Sequence, residues 1–193
     1  QSLEAWFCHV PGLKVIAPAT PHDAKGLLKS AIRDNNPVIF IEAQLLYGTK
    51  GEVGEGEYTI PIGVAEVKRT GRDVTIVAYS KMLLLALKAA LELSREGIEV
   101  EVIDPRTLKP LDLPTIVASV KKTGRLVIVE EGWHFCGLGA QIAESVYAAA
   151  FDYLDAPIVR VTGEDVPMPY SRPLEDAAIP DIARVIEAVK SLR

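Results

Sequence analysis

Residues 13–42, LKVIAPATPHDAKGLLKSAIRDNNPVIFIE, constrain the fold more than any other stretch of the chain. Residues 13–17 are a short apolar run closed by Pro18, long enough for a buried strand. Thr20 has the chemistry of a helix N-cap, Pro21 suits the first helical position, and the Asp23 carboxylate faces the positive end of the helix. Ala24, Leu27, Leu28, Ala31 and Ile32 then follow the stripe of an amphipathic helix. The sequence Asp34-Asn35-Asn36-Pro37 ends it, because asparagine tolerates a left-handed cap and the residue before proline is pushed out of helical space. Residues 38–41 return as a second apolar strand. Strand, helix and strand within about thirty residues make a parallel crossover.

Beyond Glu42 the composition changes. Residues 43–58 contain four glycines and scattered charge, the composition of a linker, with Leu45, Leu46 and Tyr47 as an apolar knot expected to pack against a domain or a partner. Residues 62–67 and 74–79 read as successive strands across the turn Thr70-Gly71-Arg72-Asp73. Ser80 is expected to cap a helix reaching Glu96, with Gly97 just past its end. Leu83, Leu84, Leu87 and Leu91 mark one face of that helix, widened by Met82, Leu85, Ala86, Ala89 and Ala90. Strands at 100–103, 125–130 and 158–161 alternate with helices at 112–120, 137–154 and 180–192. Such alternation predicts an α/β fold, a mostly parallel sheet flanked by helices.

The chain's 193 residues suffice for one sizeable domain, or one domain with part of another. Hydrophobic residues make up 49% and charged ones 24%, which predicts a conventional core. The longest unbroken apolar run, residues 82–87, is far short of a membrane span, and no charged-then-apolar leader opens the chain. The net charge of −5 argues against a nucleic-acid partner. Two cysteines, Cys8 and Cys136, make no disulfide framework and read as thiols in a reducing compartment.

PGLKV at 11–15, DAKGLLKSAIRDNNPVIFIE at 23–42 and RVTGEDVPMPY at 160–170 together resemble one family. It is the beta subunit of the thiamine-diphosphate-dependent first component of 2-oxo-acid dehydrogenase complexes, the pyruvate branch above all. The resemblance runs along the whole chain, but such subunits carry a longer N-terminal part, so it implies a truncated subunit. It also implies a transketolase C-terminal-domain-like fold with one antiparallel edge strand at 63–193, a linker at 45–62, and at 1–44 the tail of a pyrimidine-binding-type α/β domain. Residues 1–9 would be the end of a helix. The family's catalytic histidine would precede Gln1, and His9 does not inherit its role; a lone histidine more often caps or packs.

Several local patterns carry chemistry. Gly137-x-Gly139 after a strand could cradle a phosphate at a helix N-terminus, but it has neither a third glycine at dinucleotide spacing nor a P-loop lysine. Tight helix–sheet packing explains the glycines better. His134, Cys136 and the nearby glutamates fit no usual zinc spacing. Glu130 and Glu131 adjoin on one strand, so they face opposite ways and cannot act as an acid/base pair; a solvated or interface role is expected. The helix end at 31–36 is different, since its last carbonyls lack helical partners and a tight turn can converge them on a hard cation. The resemblance implies a structural potassium ion there, on the backbone of Ala31, Ile32, Asp34 and Asn36, with a further ligand from outside the chain.

By resemblance, the parent enzyme decarboxylates a 2-oxo acid on thiamine diphosphate and passes the acyl group to lipoyl groups. The cofactor and its magnesium would be held by regions or a subunit outside this chain, leaving no catalytic or cofactor-binding residue within it. The partners implied are an alpha subunit, a second beta subunit and the subunit-binding domain of the dihydrolipoyl acyltransferase. Asp155 in LDAP, with the terminus at Arg193, would meet that domain. The location implied is cytoplasmic, or the mitochondrial matrix in a eukaryote. A branched-chain enzyme, a transketolase or deoxyxylulose-phosphate-synthase-type domain, a stand-alone binding module and a nucleotide-binding enzyme domain stay open as alternatives.

Overall fold

The computed structural model describes residues 2–193. Helix α1 (Glu4–His9) leads into β1 (Lys14–Ile16), α2 (Pro21–Arg33) and β2 (Val38–Phe40), and β1 pairs parallel with β2 as the crossover requires. There follow β3 (Glu66–Arg69), β4 (Val74–Ala78), α3 (Lys81–Arg95), β5 (Val100–Asp104), β6 (Thr107–Lys109), α4 (Leu113–Thr123) and β7 (Leu126–Trp133). The chain closes with α5 (Leu138–Ala150), β8 (Val159–Gly163), α6 (Arg172–Ala178) and α7 (Ile182–Lys190).

The main sheet has the order β3-β5-β4-β7-β8. Strands β5, β4, β7 and β8 are parallel, and β3 is an antiparallel edge strand on β5. It begins at Glu66, later than the strand expected from residue 62, and pairs with β5 rather than with its successor β4. Helices α3 and α7 cover one face of the sheet and α4 and α5 the other, each burying its own apolar cluster. On α3 the buried face centres on Met82, Ala86, Ala89, Ala90 and Leu93, while Leu91 points outward.

Local chemistry accounts for most boundaries. The Thr20 hydroxyl accepts from the Asp23 N–H at 3.1 Å, and Asp112 and Asp181 cap α4 and α7 in the same way. Gly97 and Gly124 take the positive φ that ends α3 and α4. Three expectations fail. Ser80 sits at the N-cap of α3 with φ 51° and makes no side-chain cap. The C-cap of α2 is extended, not left-handed, because Asp34 turns its carboxylate back onto Lys14 and onto the N–H and side-chain amide of Asn36. On α2, Leu28 and Ile32 are exposed, and Asp23 and Gly26 are buried with Leu27 instead.

A strand absent from the sequence reading joins the N-terminal crossover to the later part of the chain. β6 pairs antiparallel with β1, giving a second sheet of order β2-β1-β6. Val15 and Ala17 are thereby buried in the same cluster as Val77 and Ile128 of the main sheet. The glycine-rich stretch lies along α2: Tyr58 stacks on His22, the Ser30 hydroxyl donates to the Ile60 carbonyl at 2.6 Å, and Glu57 pairs with Lys29. Within that stretch Leu45 and Tyr47 are exposed rather than packed on this chain. The helix ending at Ala150, followed by a short 3-10 turn at Phe151–Tyr153, is shorter than expected, and α6 was not foreseen.

An ion cluster binds the crossover to the main sheet. Asp23, fully buried in the first turn of α2, meets Lys68 of β3 at 2.7 Å and Arg106 at 2.9 Å, and both cations also reach Glu66. Arg106 adopts φ 57°, an uncommon conformation held by its N–H donating to Asp104 at 2.8 Å and by the Asp23 pair. Asp104 itself is buried beside these groups, and burial pushes its carboxyl up to about 7, with Asp23 adding to the rise and Lys68 and Arg106 opposing it. Because the folded chain binds this proton more tightly than the unfolded one, the contribution to stability is complete below about pH 4 and is lost as pH rises through 7. The urea midpoint should therefore fall between about pH 5.5 and about pH 8, and Asp104→Asn should remove most of that fall. A variant that keeps the whole fall would contradict the assignment.

Candidate functional site

Leaving β4, the chain crosses through α3 to β5 on one side, and it later reaches β7 on the other side of β4 through α4. The sheet order thus reverses between β4 and β7, and a crevice opens outside the carboxyl ends of strands at such a point. A cavity of about 570 Å³ lies there. Tyr79 comes to it from the end of β4, Glu130 from β7, Phe135 and Cys136 from the β7–α5 turn, and Glu4 and Trp6 from α1. Helix α1 is held over the crevice because Lys109 Nζ donates to the carbonyls of Cys8 and Val10 at its C-terminal end, at 2.6 and 3.0 Å.

Glu130 organises the inner wall. It is 1% exposed, so of the solvated or interface role expected the solvated one is wrong; Glu131, facing the other way, pairs with Lys81 at 2.6 Å. The Glu130 carboxylate accepts the Gly139 N–H with both oxygens at 3.0 and 2.9 Å, pairs with Arg160 at 2.9 Å and receives the Tyr79 hydroxyl at 3.3 Å. A Cβ on Gly139 would overlap Glu130, and one on Gly137 would overlap the Trp133 carbonyl. Both glycines are therefore packing residues, and the N-terminus of α5 is already filled by a carboxylate of the chain itself. Burial, then Glu130 and Glu4, hold the Tyr79 phenol well above its ordinary value. Burial likewise raises Glu4, with Glu131 and Glu130 adding to the rise.

His9 lies exposed at the mouth of this cavity. Burial pushes the Cys8 thiol up to about 11, whereas Cys136 is exposed, and both are free. No cluster of three or more histidine, cysteine or acidic side chains able to hold a metal occurs among the described residues. The part played by Glu4, Tyr79 and Arg160 was missed in the sequence. Arg160 alone gave a signal, a single cation within the apolar strand run IVRVT.

The four residues read as potassium ligands stand at an exposed turn. The Ala31 carbonyl accepts the Asp34 N–H at 3.3 Å and keeps a free lone pair, and among the described residues the carbonyls of Ile32, Asp34 and Asn36 take no hydrogen bond outside the regular elements. The donor set is compatible with a cation held by backbone oxygens, while the Asp34 side chain is committed to Lys14.

Asp155 and Arg193 lie elsewhere. Asp155 is exposed, its N–H donates to the Gly124 carbonyl at 2.8 Å, and its carboxylate lies over Gly124 so closely that a Cβ there would overlap it. It stands on the rim of an apolar groove of about 550 Å³ walled by Tyr147, Phe151, Leu154, Pro157 and Ile158. Arg193 is exposed just past α7, next to Leu192, which is buried in the cluster against which Ala156 and Val159 pack.

Residues 63–185 match the family described as Transketolase, C-terminal domain, and residues 1–50 match Transketolase, pyrimidine binding domain. The chain is 54% identical over 193 residues to the "Pyruvate dehydrogenase E1 component subunit beta" of Rhizobium meliloti (strain 1021), covering 100% of this chain and 42% of that protein. It is 55% identical over 192 residues to the protein of the same description from Rickettsia felis, covering 100% and 59%. With the mitochondrial beta-2 subunit of Oryza sativa subsp. japonica the identity is 52% over 194 residues, covering 98% and 52%. The chain thus spans about half the length of the curated relatives it matches. Among solved structures, one described as "Split gene transketolase, inactive beta4 tetramer" superposes with a TM-score of 0.80 at 29% identity, covering 98% of this chain and 60% of that one.

Proposed function

Because this chain belongs to the transketolase C-terminal domain family, we propose that it serves as the C-terminal part of a pyruvate dehydrogenase E1 beta subunit. Identity above half along the entire chain to beta subunits from bacteria and a plant is the observation that carries this reading. In the proposal residues 1–44 are the end of the pyrimidine-binding-type domain, residues 45–62 the connection and residues 63–193 the C-terminal domain. The assembled enzyme decarboxylates a 2-oxo acid oxidatively and transfers the acyl group to lipoyl groups. It works with an alpha subunit and a second beta subunit, in the cytoplasm or in the mitochondrial matrix.

Thiamine diphosphate would supply the carbanion chemistry when bound. The residues of this chain do not fit its diphosphate: the glycine turn at the switch point, its best anion-binding geometry, is taken up by Glu130. Cofactor and magnesium therefore belong, in the proposal, to regions or a subunit outside the chain, and no catalytic residue is assigned within it. A potassium ion on the carbonyls of Ala31, Ile32, Asp34 and Asn36 would fix the end of α2 with a further ligand from outside the chain. The docking role falls to the groove beside Asp155, where exposed Tyr147 and Phe151 offer apolar area and the acid offers charge to a basic residue of the acyltransferase's subunit-binding domain.

Two measurements test the reading. A chimera carrying the N-terminal part of the Rhizobium meliloti beta subunit ahead of residue 1, co-expressed with that organism's alpha subunit, should release carbon dioxide from pyruvate. The isolated chain with thiamine diphosphate and magnesium should stay at the cofactor-only background. An assembled chimera without turnover, or turnover by the isolated chain, contradicts the assignment. In surface plasmon resonance the chain should bind the subunit-binding domain, and Asp155→Ala should slow association more than Asp152→Ala, with the difference shrinking at high salt. Absence of binding, or equal behaviour of the two variants, removes the docking role.

A further inference from the structure

Helix α3 carries more apolar surface than its own chain covers. Its face toward the sheet is Met82, Leu83, Ala86, Ala89, Ala90 and Leu93. Leu84 and Leu91, two turns apart, stand on the opposite side, Leu84 half-buried and Leu91 57% exposed. Together with exposed Lys88 and Arg95 they form a ridge along the outside of the helix. Beside the ridge runs a groove of about 540 Å³ between α3 and α7, lined by Ile182, Ala183 and Ile186 and by Glu92, Glu187 and Lys190. Lys190 is answered within the chain by Glu96 at 2.6 Å. Among the described residues no ion pair takes up Lys88 or Arg95 on the ridge, or Glu92 or Glu187 in the groove. The ridge is thus cationic around a leucine, and the groove anionic around two isoleucines.

From this we propose that the outer face of α3 and α7 is a self-association surface, on which two copies of this chain dock about a twofold axis, each seating its Leu91 ridge in the groove of the other. Ridge and groove lie side by side on one face, as a contact that uses the same patch on both copies requires. Each insertion covers Leu91 with Ile182 and Ile186 and brings Lys88 and Arg95 to the Glu92 and Glu187 of the second copy. An acidic partner would meet Glu92 and Glu187, and a basic one Lys88 and Arg95; a second copy answers both signs at once. With its 15 residues α3 is about 22 Å long, and with α7 beside it the face measures on the order of 400 Å² per copy. That is less than the roughly 800 Å² per partner of a standard interface, so the dimer is weak and concentration-dependent. Its charge pairs lie at the surface, so salt weakens it. The inference concerns copies of this chain alone and stands apart from the enzymatic reading.

Analytical ultracentrifugation of the full chain tests this. The native chain should pass from monomer to dimer between about 1 μM and about 500 μM, with the dissociation constant rising about tenfold in high salt. Leu91→Asp should stay monomeric throughout. A ridge variant, Lys88→Glu with Arg95→Glu, and a groove variant, Glu92→Lys with Glu187→Lys, should each be monomeric, because like charges then face one another. Mixed in equal amounts they should regain the dimer, since every ridge then meets a groove of opposite sign. A native chain that is monomeric at every concentration, a dimer that Leu91→Asp leaves intact, or two charge variants that fail to pair on mixing would overturn the proposal. All five positions are exposed, so the core is untouched; should circular dichroism show Leu91→Asp unfolded, the mixing experiment decides alone. None of these outcomes depends on carbon dioxide release by the chimera, so either reading can fail without the other.

Discussion

A single buried carboxylate, Asp23, ties the N-terminal crossover to the main sheet. Its side chain has no access to water, so it depends on Lys68 from the edge strand and Arg106 from the turn after β5. Breaking a buried pair by removing one partner costs about 3–5 kcal/mol, a large part of the stability of an ordinary domain. The other features of the junction are consistent with that demand. Arg106 takes its uncommon backbone conformation, β6 comes to lie against β1, and Val15 and Ala17 join the core of the main sheet. The cluster therefore does more than decorate a surface: it sets where the crossover sits.

The crevice depends on that placement. Helix α1 precedes β1 by only a short turn and is tethered by Lys109 of β6, so the position of Glu4 and Trp6 over β4 and β7 follows from the β1–β6 pairing. On the other wall Glu130 satisfies the N-terminus of α5 from inside the sheet, which fixes the turn carrying Phe135 and Cys136. The crevice is thus built jointly by the first helix and the later sheet, although they are far apart in sequence. The Asp155 groove lies elsewhere, beside the end of α5, on the face covered by α4 and α5.

Local chemistry was legible in the sequence, and long-range charge was not. Thr20 and Gly97 announced helix boundaries because caps act within a few residues. The apolar runs of β1, β4 and β7 were plain because buried parallel strands need no polar alternation. Strand β6 was missed because Thr-Leu-Lys beside prolines has no strand signature of its own and exists through its partner β1. Asp23 read as a helix-dipole residue and Glu130 as a solvated acid, since nothing local shows that Lys68, Arg106 and Arg160 will arrive from elsewhere in the chain. The turn at Asp34 followed a side-chain ion pair with Lys14 in place of the expected asparagine cap.

Native-state hydrogen exchange read by mass spectrometry tests most directly whether the crossover and the main sheet are one cooperative unit. If Asp23 and the β1–β6 pair unite them, the amides of β1 and β6 exchange with the same opening free energy as those of β4 and β7, and Asp23→Ala lowers β1 and β6 below the rest. Amides of β1 and β6 that open far more readily than the central strands in the native chain, and do so equally in Asp23→Ala, would contradict it.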